Sequence, residues 1–236
     1  MDLITNYRDL LSEYGLTLLI ATRVSLELLV ISSVLGFVLA IFVAVGRSSR
    51  HKLIYTTSTI FSSVFRGTPL LVQLFVIYYG LGQFEAIRSS FLWTFFSSSF
   101  FCASLALTLN VAAYMSEHIR AGILSIPHGE SEAALALGVG DLSLLAGITV
   151  PRALRVAMPA LTNEIISQLK STALASTITV LDLTGVARRL SAQTYTLDAL
   201  IVAGFIYAML TLFISVMARG IERKGNVYLK KQAKFS

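Results

Sequence analysis

At 236 residues, with 55% hydrophobic and 14% charged side chains and a mean hydropathy of +0.74, the chain is too apolar for an ordinary soluble domain and reads as an integral membrane protein. The formal charge of +6 and pI of about 9.6 would suggest nucleic acid in a soluble protein, but here the excess lies between and after the apolar runs, where a topology signal places it. The single cysteine, Cys102, sits in an apolar run and excludes an internal disulfide framework.

The opening MDLITNYRDLLSEYG lacks a basic n-region, and the apolar run after it is too long for a cleaved signal, so the start is expected to be retained. The first span is expected over 16–46; its only charges, Arg23 and Glu27, are four apart and share a helix face. GRSSRHK follows, and Arg47, Arg50 and Lys52 in so short a loop mark it as cytoplasmic, which puts the N-terminus outside. The second span, 55–80, is broken by Arg66, Gly67, Thr68 and Pro69, so the break must face protein or a water-filled cavity. A short external loop leads to a third span over 91–116, on which Asn110, Tyr114 and Glu117 form one polar stripe.

Residues 117–155 then form a long, moderately polar cytoplasmic loop. Within it a short helix is predicted over Glu130–Leu137, stopped by Gly138 and Gly140, with a helical pattern resuming from Asp141 until Pro151 interrupts it. The fourth span, 156–181, carries Glu164, Ser167, Gln168 and Ser171 on one face and Lys170 on another flank. An external connection holding Asp182, Arg188, Arg189 and Asp198 precedes a fifth span over 199–219, and six Lys and Arg in ARGIERKGNVYLKKQAKFS hold the C-terminus inside. Arg188 and Arg189, both external, are the clearest conflict with the charge rule. No internal repeat of the two-halves kind is visible, so a lone five-helix unit reads as half of a dimer.

Enzyme chemistry finds no support. There is no Gly-x-Ser-x-Gly, no paired Cys or His at metal spacing and no phosphate loop. Any nucleotide must be bound by another subunit.

The polar loop carries the specific signal. Glu132, Ala133 and Ala134, then Gly138 after three residues and Ile148 after nine more, with Pro151 closing the pattern, resemble the EAA motif (E-A-A-x3-G-x9-I-x-L-P) of importer-type ABC permeases; Val150 replaces Leu. The similarity extends over VFRGTPLLVQLFVIYYGL, LALTLNVAAYMSE, SIPHGESEAA and PALTNEIISQLKSTALASTITVLDL, which look like polar amino-acid permeases, in particular those for histidine, lysine, arginine and ornithine and for opines. The resemblance implies an all-α, type I importer permease fold of five transmembrane helices in a single domain. It also implies residence in the bacterial inner membrane, a second permease subunit (a paralogue rather than self), a pair of ABC ATPase subunits holding ATP and Mg, and a periplasmic solute-binding protein that chooses the solute. This chain itself would hold no cofactor or metal. Glu132, Ala133, Ala134, Gly138, Ile148 and Pro151 would form the coupling element, with Glu132 either touching the ATPase or stabilising its own helix dipole.

Ionisable residues inside the membrane nominate a substrate path: Arg66, Glu117, Glu164 and Lys170, joined by Gln73, Asn110, Tyr114, Gln168 and Ser171. Glu117 and Glu164 could balance a cationic side chain. Structural alternatives stand beside these: Arg66 satisfying carbonyls freed by Pro69, Glu164 with Lys170 bridging spans or the subunit interface, and Glu117 with His118 capping the third span. External residues 81–90 and 182–198 are the expected docking contributors. The rival to an ABC permease is a stand-alone secondary transporter or channel.

Overall fold

A segment that crosses lipid must satisfy its backbone polar groups internally, and the described residues form helices with no strand among them. The computed structural model describes the backbone of residues 2–232 and the side chains of 12–127 and 129–220. The side chains of residues 1–11, of His128 and of the basic tail beyond Gly220 lie outside that description.

The order is α1 (Asp2–Gly46), α2 (Lys52–Gly67), α3 (Leu70–Phe75), two one-turn helices α4 (Glu85–Arg88) and α5 (Trp93–Phe96), α6 (Ser99–Leu124), α7 (His128–Ala136), α8 (Asp141–Leu144), α9 (Val150–Ser171), α10 (Leu183–Thr194) and α11 (Asp198–Gln232). A π-helical turn, Val76–Gly80, and a 3-10 turn, Leu81–Gln83, extend α3; another π turn, Leu145–Thr149, joins α8 to α9; and a 3-10 stretch, Thr172–Ile178, extends α9. Four segments are long and apolar enough to cross a membrane, Ser12–Gly46, Ser99–Leu124, Asp141–Ile178 and Asp198–Gly220, and α2 with α3 and its extension makes a fifth if that broken pair counts as one span.

Three sequence expectations need correction. The third spanning helix begins at Ser99 rather than near 91, because Ser98 caps it, accepting the Phe101 N–H at 3.4 Å, and residues 84–98 form only isolated turns. It also runs on to Leu124, so the polar loop is shorter than 117–155. Pro151 does not interrupt the helix that follows: it occupies the second position of α9, directly after the π turn, where a local change in winding accommodates a residue without an N–H. The connection after the fourth span holds the amphipathic helix α10.

The chain divides into two compact units. The first comprises α1 up to Val34, Thr68–Thr108 and Ile166–Phe213. In it Leu183, Val186, Ala187 and Leu190 of α10, spaced as one helix face, pack on Leu18 and Ala21 of α1 and on Ala199 and Ala203 of α11. A second cluster joins Leu28, Leu74, Cys102, Ala103, Ala106 and Leu107 to Ala175, Ile178 and Val180. Gln168, 2% exposed, donates to Ser32 Oγ at 2.9 Å and Leu107 O at 3.1 Å, tying α9 to α1 and α6.

Asp182 is wholly buried and caps α10, accepting from Gly185 N at 2.9 Å and Thr184 N at 3.3 Å, while the Tyr207 hydroxyl donates to it at 3.3 Å. Burial raises its carboxyl from 3.8 to about 6, against the lowering effect of the Gly185 and Thr184 amides and the Tyr207 hydroxyl.

The second unit comprises Leu35–Gly67, Leu109–Ile165 and the chain from Ile214 onward. Its core is Ala40 and Ala44 of α1, Val111, Met115 and Ile119 of α6, and Ala157 and Leu161 of α9. Small residues let backbones approach closely here. A Cβ placed on Gly122 would lie 2.5 Å from the carbonyl oxygen of Ala153, so α6 and α9 touch main chain to main chain at that point.

The buried cap generates a pH test. Because the native carboxyl titrates near 6 and the unfolded one near 3.8, the native state holds a proton that the unfolded state has lost between those values. Stability in detergent should therefore fall as pH rises from about 4 to about 6 and then level off. Asp182→Asn should flatten that slope while keeping the cap, as read by thermal unfolding across pH 4–7.

Candidate functional site

Three groups of residues carry the functional signal. The first is α7. It starts after Pro127, whose backbone at φ −59° and ψ 134° is extended, and its first turn holds Glu130. That carboxylate sits at the positive end of the helix and pairs with Arg152 of α9. The helix-dipole role considered for Glu132 thus falls to Glu130. Glu132 stands two residues beyond it, exposed, with no ion pair among the described residues.

The helix ends on Gly138 at φ +80°. Its N–H reaches Leu135 O at 2.9 Å and the next N–H, from Val139, reaches Ala134 O at 3.1 Å. This paired closure needs a left-handed residue just past the helix, which explains why glycine stands at that place in the motif. Ala133 and Ala136 are exposed and Ala134 is buried. Ile148 lies in the π turn and Pro151 in α9, so the second half of the motif belongs to the next helix and not to α7. Leu137 and Leu142, 85% and 77% exposed, flank the turn at Gly138. Neither stood out in the sequence, where apolar periodicity alone cannot separate a buried leucine from one presented to a partner.

The second group is the polar stripe of α6, which meets the end of α2. Asn110 Nδ2 donates to Phe65 O at 3.2 Å and Tyr114 Oη to Arg66 O at 3.4 Å. Glu117 Oε2 receives Arg66 Nη1 at 2.8 Å and also Arg47 Nη1, and its Oε1 receives Arg120 Nη2 at 3.0 Å. The Arg66 guanidinium carbon lies 5.9 Å from the centroid of the Tyr114 ring. Arg47 also donates to Ser62 at 3.1 Å. Four residues nominated for a substrate path, Arg66, Asn110, Tyr114 and Glu117, are therefore brought together, and each is engaged with protein. Freed carbonyls near Pro69 are met by Asn110 and Tyr114 rather than by the Arg66 side chain. Arg47 and Arg120 were not nominated. Arg120 stands three residues after Glu117 on the same helix, a spacing that could have flagged it.

The third group is scattered. Glu164 Oε2 of α9 stands 3.6 Å from His118 Nε2 of α6, so Glu164 bridges two spans. Lys170 is exposed without an ion pair among the described residues. Ser171 Oγ donates to Ser167 O at 3.1 Å, and Gln168 is buried between helices as described. Gln73, also buried, turns back to Thr68, donating to its carbonyl at 3.0 Å and its hydroxyl at 2.9 Å. Among the described residues no group of His, Cys, Asp or Glu is arranged to hold a metal.

The model of the binding-protein-dependent transport system inner membrane component family matches residues 36–226. The chain belongs to that family. It is a family of permease subunits rather than of enzymes, and it implies ATPase and binding-protein partners; the stand-alone transporter is set aside. This permease is 44% identical over 199 residues to the octopine transport system permease protein OccM of Rhizobium radiobacter, covering 84% of this chain and 81% of that one. It is 43% identical over 209 residues to the histidine/lysine/arginine/ornithine transport system permease protein HisM of Escherichia coli, covering 88% of each. A crystal structure of an amino acid ABC transporter with histidines superposes with a TM-score of 0.80 at 31% identity, over 95% of this chain and 99% of that one. An inward-facing MetNI methionine ABC transporter shares the fold at a TM-score of 0.74 and 20% identity, over 88% of this chain and 96% of that one. The permease is thus a multi-pass, all-helical subunit of an ABC transporter.

Replacing Glu117 by Gln should leave three guanidiniums facing each other without a carboxylate and cost about 2 kcal/mol. Lys170→Gln should change little. Thermal midpoints of the two variants in the same detergent compare them directly.

Proposed function

We propose that this permease imports a polar amino acid, basic for preference, or an opine across the bacterial inner membrane, as one of two paralogous permease subunits. In this reading the N-terminus is periplasmic and the C-terminus cytoplasmic. Two ATPase subunits carry ATP and Mg, and a soluble binding protein delivers the solute from outside. The observation that carries the reading is α7, a short helix with exposed Glu132 and Ala133, closed by Gly138 and flanked by exposed leucines, as a docking element for a separate ATPase requires.

Force follows the chain. ATP draws the ATPase subunits together and shifts α7. Three residues separate α7 from α6, whose Glu117 lies two turns back and grips the ends of α1 and α2. Movement of the coupling helix is in this way delivered to the broken second span, and docking and ATP must each favour one conformation to drive a cycle. Ile148 and Pro151 carry the same movement into α9 from the other side.

For the solute, the engagement of Glu117 by three arginines leaves Glu164 as the carboxylate free to balance a cationic side chain, with His118 beside it. Arg66, Asn110, Tyr114 and Glu117 then shape the wall instead of gripping the solute, and Gln73 and Gln168 hold helices in place. Lys170 and Ser171 stay with the path as polar lining. The names of the relatives, octopine and histidine/lysine/arginine/ornithine permeases, support a solute with a cationic or zwitterionic group.

Two outcomes test this. Glu132→Lys or Ala133→Trp should release the ATPase or abolish ATP-dependent uptake while leaving membrane insertion intact; co-purification with the ATPase and labelled-arginine uptake in proteoliposomes are the measurements, and unchanged binding together with unchanged uptake would sink the coupling assignment. Glu164→Gln should lower uptake of arginine at least about tenfold more than uptake of a neutral amino acid. An equal loss for both would give Glu164 a structural role. Uptake by this chain alone under an ion gradient would overturn the import reading as a whole.

A further inference from the structure

Tyr78, Tyr79, Trp93 and Phe96 belong to none of the three groups above. They stand on two short pieces of chain, the π turn Val76–Gly80 and α5, and together they line one cavity of about 330 Å³. That volume is at the lower end of the range for small-molecule sites. Gln83 and Ser97 also line it, so the cavity has polar groups but no charged side chain.

The walls are set from behind. Tyr78 and Phe96 are half-buried and pack on the core cluster that holds Leu28, Leu74 and Cys102. Tyr79 meets Tyr78 with ring centroids 4.8 Å apart and planes at 72°, and Phe96 meets Phe101 of α6 edge-on at 5.6 Å. Trp93 lies so close to Gly82 that a Cβ there would stand 3.3 Å from its Cη2 atom. The glycine is what lets the indole rest against the main chain.

Two features separate this cavity from an aromatic belt at a membrane surface, which requires neither. The adjacent tyrosines sit in a π turn, a winding frequent at functional sites. Tyr78 Oη also lies 3.4 Å from Oγ1 of Thr179, a β-branched residue held at φ 68°. A left-handed backbone is strained for such a residue, and strain of this kind clusters at ligand clamps.

Aromatic faces carry the negative part of the ring quadrupole, so a cavity walled by rings and free of charged side chains matches an organic cation. Rings hold a cation less firmly than a carboxylate does, and a site that passes its cargo on has to release it. We propose that this cavity is an outer holding site for the cationic side chain of the solute, guanidinium or ammonium, with Tyr78, Tyr79, Trp93 and Phe96 as its cage. This rests on the import reading and on its orientation, which put residues 81–90 outside. An ethanolamine headgroup of the membrane offers the same ammonium chemistry, and the test separates the two sources.

Trp93 is the one tryptophan of the chain, so its emission reports on the cavity directly. The full chain in uncharged maltoside micelles, titrated with L-arginine, should show a saturable change in that emission. L-citrulline, which has nearly the same shape without the charge, should need a concentration at least about tenfold higher. Tyr79→Leu and, separately, Phe96→Leu should weaken the arginine response about threefold to tenfold. Tyr79→Phe, which keeps the ring, should respond as the parent does. No saturable change in the parent, equal responses to arginine and citrulline, or parent-like responses in both leucine variants would each overturn the site. So would a change produced by added phosphatidylethanolamine that leaves arginine without effect, in favour of a lipid headgroup. ATP-dependent arginine uptake by the assembled transporter is measured alongside. Uptake without the Trp93 response sinks the cage and leaves the import reading standing, whereas a Trp93 response without uptake sinks the import reading.

Discussion

A helix that stops within a bilayer leaves carbonyls that lipid cannot satisfy, and the break between Gly67 and Leu70 is where this permease meets that constraint. The solution is local and uses up one face of α6. Asn110 and Tyr114 take the carbonyls of Phe65 and Arg66, and Glu117 takes the Arg66 guanidinium together with those of Arg47 and Arg120. A residue set that looks like a lining for polar cargo is, in its geometry, the fastening of a broken span. Three positive groups around one carboxylate also leave a net positive centre, so the arrangement discourages a further cation from approaching it.

For the proposed solute path, the geometry separates the two carboxylates. Glu117 is held by three partners at hydrogen-bond distances, whereas Glu164 faces only His118 at 3.6 Å. A carboxylate already committed to several guanidiniums offers little to a transient ligand, while one with a single loose neighbour can exchange it. The same logic separates the amides: Gln73 and Gln168 are both buried and both spend their donors on nearby protein oxygens.

Much of this was legible in the residues. The broken second span, the Arg23–Glu27 pair at 2.8 Å, the short helix ending at Gly138 and the common face of Asn110, Tyr114 and Glu117 all follow from spacing and from glycine and proline chemistry. What those residues face was not legible, since the partners are 48 and 51 positions away in the chain for Tyr114 and Glu117. The helix bounds slipped for physical reasons. Aromatic residues in 91–98 read as span, but their turns are not continuous, and Pro151 reads as a stop unless the preceding turn can rewind. Helix α10 escaped because its apolar face is only four residues deep, although Asp182 before Leu183 was an available start signal.

Gly122 of α6 and Ala153 of α9 lie just outside the two ends of the coupling segment, and their main chains are in contact. That contact closes α7 into a loop with a pinned base. A push on α7 cannot be absorbed by spreading the helices on either side of it, because they are already joined where it begins and ends. In the coupling role proposed for it, the segment would share its load between two spans at once, as a handle riveted to both, so that tilting one obliges the other to follow.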